Sequence, residues 1–280
     1  MKRRKIAANV LIYAILILLA VIWVAPIFFL VIHSFRAEPG ATVQYLLPKS
    51  LTIDNYTRLF TETELFNFPR WYKNTLIVSV ASCLLSTLYV LMISYAFSRL
   101  RFRGRSGMMK AGLILNMFPG FMSMIAVYFI LKAVGLTQSL LALVLVYSGS
   151  SALTYYIAKG FFDTIPTALD EAAHIDGASR ATIFWRITLP LSKPIIVYTV
   201  LMAFMAPWMD YIFASVIMKD NYDNYTVALG LFQLISRENI YHYFTRFCAG
   251  AVLVAVPIAL LFLFMQKYYV EGVTGGAVKG

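Results

Sequence analysis

Charge is scarce in this chain, and acid is scarcer than base. Only 13% of its 280 residues are charged, with 13 acidic side chains against 24 basic ones and a formal charge of +11. A domain surrounded by water needs more polar surface than that. Histidine and cysteine are nearly absent, at three and two residues. His33, His174 and His242 are too far apart in sequence to suggest a metal or catalytic cluster. Cys83 and Cys248 fall inside apolar runs without metal-ligand spacing, which argues against a disulfide framework and against a zinc site. A phosphate-cradling G-x-x-x-x-G-K-[ST] loop is missing as well. Gly107 and Gly112 have the separation, but Leu113 and Ile114 follow them, so this chain does not hydrolyse ATP. A membrane enzyme would want paired carboxylates or an activated nucleophile, and the apolar runs offer one clear carboxylate, Asp210, with no ionisable partner in its own run. A secondary transporter would show several buried ionisable groups and broken helices in matched halves. Neither is evident, nor is any internal repeat, so transport work would draw its energy from elsewhere.

What is abundant is hydrocarbon. Hydrophobic residues make up 60% of the chain, and the mean hydropathy is +0.74. Runs of about twenty apolar residues are each long enough to cross about 30 Å of lipid as a helix. Six spans are expected, at about 8–33, 74–98, 111–131, 138–158, 195–218 and 247–267. Pro26, Pro119, Pro207 and Pro257 lie within them, as membrane helices tolerate. The fold class expected is therefore all-α integral membrane, as a single domain over residues 1–280.

The basic residues concentrate in "KRRK" at 2–5 and "RLRFRGRSGMMK" at 99–110, directly beside apolar runs. That placement suits cytoplasmic flanks against anionic lipid headgroups, and argues against nucleic acid as a partner. With six spans, 15 Lys and Arg lie on the side of the termini and 9 on the other. Both termini and the 159–194 loop are thus expected in the cytoplasm, with 34–73 and 219–246 outside. The first apolar stretch is too long for a signal peptide and reads as an uncleaved span. In the outer segment, "LTIDNYTRLF" looks like a short amphipathic helix begun near Asp54. The Asn-, Tyr- and Asp-rich 219–246 loop is either a folded connector or a docking surface.

One stretch interrupts the apolar pattern: "DEAAHIDGASRATIFWRITLPLSKP", residues 170–194. Pro166 suits the first turn of a helix. Leu169, Ala172, Ala173 and Asp176 then share one side at i, i+3, i+4, i+7 spacing. Gly177 can take the left-handed conformation that ends a helix. Ser179 can cap a second short helix, which Pro190 is expected to end. The product is a helix–glycine–helix elbow. Its acidic face, with Asp170, Glu171 and Asp176, suits a basic protein partner better than an anionic membrane surface. The small Ala172 and Ala173 would permit close approach. An interfacial hairpin resting on lipid is the other reading.

The same stretch resembles the EAA loop of permease subunits of binding-protein-dependent ABC importers, E-A-A-x-x-x-G followed by I-x-L-P. The matching residues are Glu171, Ala172, Ala173, Gly177, Ile187, Leu189 and Pro190. The final "YYVEGVTGGAVKG", 268–280, resembles the tail of maltose/maltodextrin-type sugar permeases, as do "AKGFFDTIP" and "NYTVALGL". The similarity is weakest over 36–71. The resemblance implies six helices of the type I ABC importer permease fold with a cytoplasmic EAA coupling helix. It implies a second, homologous permease subunit, two cytoplasmic ATPase subunits that bind ATP and Mg, and an extracytoplasmic sugar-binding protein, in a bacterial cytoplasmic (inner) membrane. No cofactor is then expected in this chain. Glu171 would pair with a basic group of the ATPase, Asp176 would lie in the same helix, and Gly177 would permit the turn. Gly272, Thr274, Gly275, Gly276, Lys279 and Gly280 would belong to a tail reaching between the ATPases, where sequence alone would also allow a frayed end.

For the solute path the residues are ambiguous. Trp208, Asp210 and Tyr211 in the fifth span could line a sugar route, the rings stacking on pyranoses and the carboxylate accepting hydroxyls. They could equally be interhelical glue and an interfacial aromatic belt. Tyr155, in "YSGSSALTYY", invites the same two readings, and the small Gly149, Ser150 and Ser151 beside it suit close helix packing. Maltodextrin or galacto-oligosaccharide is the cargo by analogy. An importer of another solute, such as a polyol or glycerol phosphate ester, and a non-transporting scaffold that recruits an ATPase are the alternatives.

Overall fold

The computed structural model describes residues 2–41, 45, 47–118, 120–149 and 152–277. Among them the regular elements are helices. Helix α1, Lys2–Ser34, carries an apolar stretch of 26 residues, Asn9–Ser34, whose most apolar part has no buried residue. A bare apolar helix of this length is stable where hydrocarbon is the solvent. After it come α2 (Asp54–Thr61), α3 (Phe68–Arg99), α4 (Arg105–Asn116), α5 (Gly120–Ala133), α6 (Leu140–Ser148) and α7 (Ala152–Asp163). The remainder is α8 (Ala168–Ile175), α9 (Arg180–Ile183), a π-helical turn at Phe184–Thr188, α10 (Leu189–Leu191), α11 (Lys193–Met209), α12 (Ile212–Met218), α13 (Val227–Ile235) and α14 (Ile240–Ala277).

Among the described residues, three stretches are long and apolar enough to cross a membrane: Asn9–Ser34, Phe68–Arg99 and Arg237–Lys267. Counting each bent pair, Leu140–Ser148 with Leu153–Asp163 and Arg180–Leu191 with Lys193–Met209, gives up to five. The expected 111–131 span is divided between α4 and α5. Its apolar portion, Met122–Ala133, reaches only about 18 Å at the helical rise. Pro119, between the two helices, lies outside the described residues, and proline disfavours helix at the residue before it. The expected 195–218 span is also divided. Asp210 is extended (ψ 109°) between α11 and α12, just after Pro207, whose missing N–H removes a helical bond.

Two compact units result, Met1–Pro69 with Gly230–Val256, and Arg70–Leu229 with Pro257–Gly280. In the first, Arg36 is wholly buried. Its Nε donates to Glu38 O at 2.8 Å, one terminal nitrogen contacts His33 Nδ1 at 2.9 Å, and the other donates to Gly40 O. Asn55 of α2 donates to Ser34 O at 2.9 Å and Arg36 O at 2.8 Å, and accepts from Thr245 Oγ1 of α14 at 2.9 Å. Buried polar groups need such partners. Gly40 has φ +84°, and a Cβ there would lie 2.5 Å from Tyr241 O, so no larger residue fits. The short helix expected from Asp54 is present as α2.

In the second unit, Val90, Leu91 and Tyr95 of α3 pack with Ala158 and Phe162 of α7, Ile165, Phe184 and Ile195. This core fixes the root of the elbow. The 219–226 segment is folded: Asn74 donates to Asp223 O and Tyr225 O at 2.9 and 3.0 Å, and Asn221 and Asn224 donate to Gln138 O at 3.1 and 2.8 Å. Its asparagines are used as cross-links within the chain.

Candidate functional site: the elbow between α7 and α11

Helix α8 ends in a Schellman motif. Gly177 N–H donates to His174 O at 3.0 Å and Ala178 N–H to Ala173 O at 2.9 Å, with Gly177 at φ +81°. Ser179 Oγ then accepts from Thr182 N at 3.1 Å and starts α9. Pro190 does not end this second helix. The chain runs through the π-helical turn into α10, where Leu189 N–H donates back to Phe184 O, and turns only at Ser192. The wider turn relieves the clash a proline ring makes with the carbonyl four residues back. Arg180–Leu191 and Lys193–Met209 meet at 83°.

The elbow is tied to α3 by charge. Arg99 Nε stands 3.1 Å from Asp170 Oδ2, with side chains only 8% and 18% exposed. Arg99 also donates to Ile165 O at 2.7 Å. One residue earlier, Ser98 Oγ donates to Asp163 Oδ1 at 2.7 Å, and Lys159 pairs with the same carboxylate. The end of α3 thus grips both the end of α7 and the start of α8. The ties span 65 to 71 positions of sequence, and nothing in local pattern announces them.

The two alanines of the motif face differently. Ala173 is buried at 8% exposure, so its small size lets α8 lie close on its own chain. Ala172, Glu171, Asp176 and Gly177 are exposed. Ile187 and Leu189 are half-buried at the elbow's root and Pro190 is exposed. Ile175 points outward at 87% exposure. Local pattern does not single it out, and the one signal in the sequence is an isoleucine at the tip of an acidic helix. The cleft beside α8, about 350 Å³, is lined by Arg99, Arg101, Arg105 and Arg180 together with Asp170 and Glu171. A rigid acidic helix with an apolar tip and a basic flank is chemically suited to being held by another protein.

The tail residues Gly272, Thr274, Gly275 and Gly276 fall in the last turns of α14. Lys279 and Gly280 lie outside the described residues. Of the residues expected as candidates for the solute path, Asp210 Oδ2 accepts from Tyr147 OH of α6 at 2.7 Å, and Oδ1 accepts from Phe213 N of α12 at 3.0 Å. Both oxygens are therefore committed to holding the helix break. Trp208 is buried at 3% exposure and meets Tyr72 edge-on at 5.1 Å. Its Nε1 has no hydrogen-bond partner among the described residues. Tyr211 is half-buried. Tyr155 belongs elsewhere, to the packing among α3, α4 and α7, where its hydroxyl donates to Gly149 O at 2.9 Å. Ser150 and Ser151 lie outside the described residues.

Residues 10–274 match the family described as "Binding-protein-dependent transport system inner membrane component". The chain belongs to that family. Within it, the galactooligosaccharides transport system permease protein GanQ of Bacillus subtilis (strain 168) is 36% identical over 281 residues, covering 100% of this chain and 99% of that one. The maltodextrin transport system permease protein MdxG of the same organism is 36% identical over 269 residues, covering 96% and 95%. Among solved structures, a bacterial ABC transporter chain involved in alginate import superposes with a TM-score of 0.80 at 22% identity, covering 95% of this chain and 98% of that one. That likeness carries the fold, an ABC importer permease. The chain is a transport permease subunit, as its EAA stretch and tail suggested.

Proposed function

We propose that this permease forms one half of the membrane pathway of an ATP-driven oligosaccharide importer, and that the elbow is where a cytoplasmic ATPase moves it. A galacto-oligosaccharide or maltodextrin is the solute class, and what supports it is the full-length similarity to permeases named for those two sugars. The observation that carries the coupling role is the mounting of α8. Its exposed side presents Glu171, Ala172 and Ile175, while its inner side is fixed through Asp170 to Arg99 and through Ala173 to the chain beneath.

A force applied to such a helix cannot be absorbed locally. It passes into α3 through Arg99 and into α11 through the continuous turn at 184–191. Nucleotide-driven closure of the ATPases, which hold the ATP and Mg, then becomes movement of the spans. The termini and the elbow lie in the cytoplasm on this reading, the 34–73 and 219–246 segments outside, and a second permease and an extracytoplasmic sugar-binding protein complete the machine. Glu171 meets a basic group of the ATPase, Asp176 lies beside it, and the tail from Gly272 reaches between the ATPase subunits.

The test is to purify the chain with its native partners, reconstitute them, and follow ATP-dependent uptake across a panel of oligosaccharides with the candidate binding protein. Sugar-stimulated hydrolysis with uptake supports the reading. Recovery of an ATPase without any solute response would overturn the transport role, and recovery of no ATPase would overturn the role given to the elbow.

A further inference from the structure

We propose that the cleft between α4 and α7 is a specific site for an anionic phospholipid, whose phosphate-bearing headgroup is held by Arg105, Lys110, Lys159 and the first turn of α4. A cavity of about 640 Å³ lies there, lined by those three cations with Ser106, Gly107 and Tyr156. Lys159 already holds Asp163. Arg105 and Lys110 make no ion pair among the described residues; Arg105 stands in the field of Asp163 and also lines the α8 cleft with Asp170 and Glu171, but no acidic side chain is among the residues lining this cavity.

Helix α4 adds to them. It has 12 residues, no acidic side chain in its first turn, and an N-cap, Gly104, with no side chain to satisfy the leading N–H groups. The amides of Ser106 and Gly107 are therefore open donors at the positive end of the helix dipole. A Cβ added to Gly107 would meet nothing within 4 Å. This wall of the cavity is open to an incoming group.

Charge alone would suit a free phosphate equally well. What selects a lipid is the neighbouring space. A narrow slot of about 80 Å³, lined by Ile93, Phe97, Met108 and Met109, shares Met109, Tyr156 and Lys159 with the basic cavity. An anion with hydrocarbon attached fills both, whereas inorganic phosphate or a nucleotide leaves the slot empty. The site also stands where the chain's basic flank at 99–110 is expected to meet the anionic leaflet.

The experiment uses the complex purified with its partners, in discs of phosphatidylcholine carrying a photoactivatable probe that is either phosphatidylglycerol or phosphatidylcholine. Labelled residues are mapped by mass spectrometry. The expected result is labelling on α4 and α7 about fivefold stronger with the anionic probe, the factor that about 1 kcal/mol for one cation near a lipid surface implies. Gly107→Asp discriminates sharply. It puts an acid in the first turn, which favours the helix and fits the open space, yet it repels an anionic headgroup. The preference should persist in Gly107→Asn and vanish in both Gly107→Asp and Lys110→Gln, since a fall of about fivefold leaves none.

Equal labelling by both probes overturns the proposal, as does a preference that survives Gly107→Asp. Protection of the site by inorganic phosphate at millimolar concentration would make the occupant a soluble anion and overturn the lipid assignment. Cross-linking of these residues to the second permease instead of to lipid would do the same.

Discussion

Arg99 and Asp170 form an ion pair at 3.1 Å across 71 positions of sequence, and both side chains are largely shielded from water. Removing one partner of a shielded pair leaves the other charge unmatched, at a cost of about 3 kcal/mol. Asp170→Asn should therefore loosen α8 from α3, leaving ATP hydrolysis in place while uptake falls at least about tenfold. Measuring both rates on the same reconstituted complex checks this. The exchanged pair, Arg99→Asp with Asp170→Arg, should recover part of the uptake; equal loss of hydrolysis and uptake would count against the mounting role.

Gly177→Ala meets no steric obstacle, so its effect isolates backbone conformation. At φ +81° an alanine costs about 1–2 kcal/mol. The variant should weaken association with the ATPase by about tenfold, and Gly177→Asn should recover much of it, because asparagine tolerates this region. A binding titration of both variants decides the matter. Equal loss in the two would mean that the side chain itself obstructs the partner.

Ile175 touches little of its own chain, so Ile175→Asp should leave thermal unfolding unchanged while ATPase co-purification drops. Burying an isoleucine at an interface is worth about 2 kcal/mol, or roughly thirtyfold in affinity. Undiminished co-purification would remove this residue from the docking surface.

Asn55 donates two hydrogen bonds and accepts a third. Asn55→Ala should destabilise the unit around Arg36 by about 1–3 kcal/mol, since it strands buried polar groups. Thermal unfolding in detergent reads this directly, and Thr245→Val should reproduce about a third of the effect.

Tyr147→Phe removes one of the two hydrogen bonds that Asp210 accepts, at about 1 kcal/mol. If Asp210 is structural glue, stability should fall while the apparent affinity for sugar in uptake stays constant. A selective change in sugar affinity would instead assign the pair to the solute path.

Composition alone was enough to set the membrane class, because no soluble surface could be built from so little charge. The elbow, too, could be parsed residue by residue: the left-handed Gly177 and the Ser179 cap stand where local rules put them. Pro190 misled because the rule that proline ends a helix assumes regular α bonding, which the π-helical turn relaxes. The orientation of Ala172 and Ala173 was out of reach of spacing, since i, i+3, i+4 periodicity groups residues on a face without saying which face is inside. Long-range pairs such as Arg99–Asp170 and Tyr147–Asp210 leave no local trace. Nor does the burial of Arg36, which in sequence is one more basic residue outside a span.

The bond between Asn55 and Thr245 joins positions 190 residues apart, and that sets an order of events during synthesis. Helix α1 and its uncovered apolar stretch emerge long before Thr245 and can enter the bilayer unaided. The cage around Arg36 cannot close until residue 245 has left the ribosome. Throughout translation, then, Arg36 stands beside the first span with its local partners His33, Glu38 and Gly40 but without the cover that closes over Asn55. A nascent chain arrested before residue 245 should remain open there to protease.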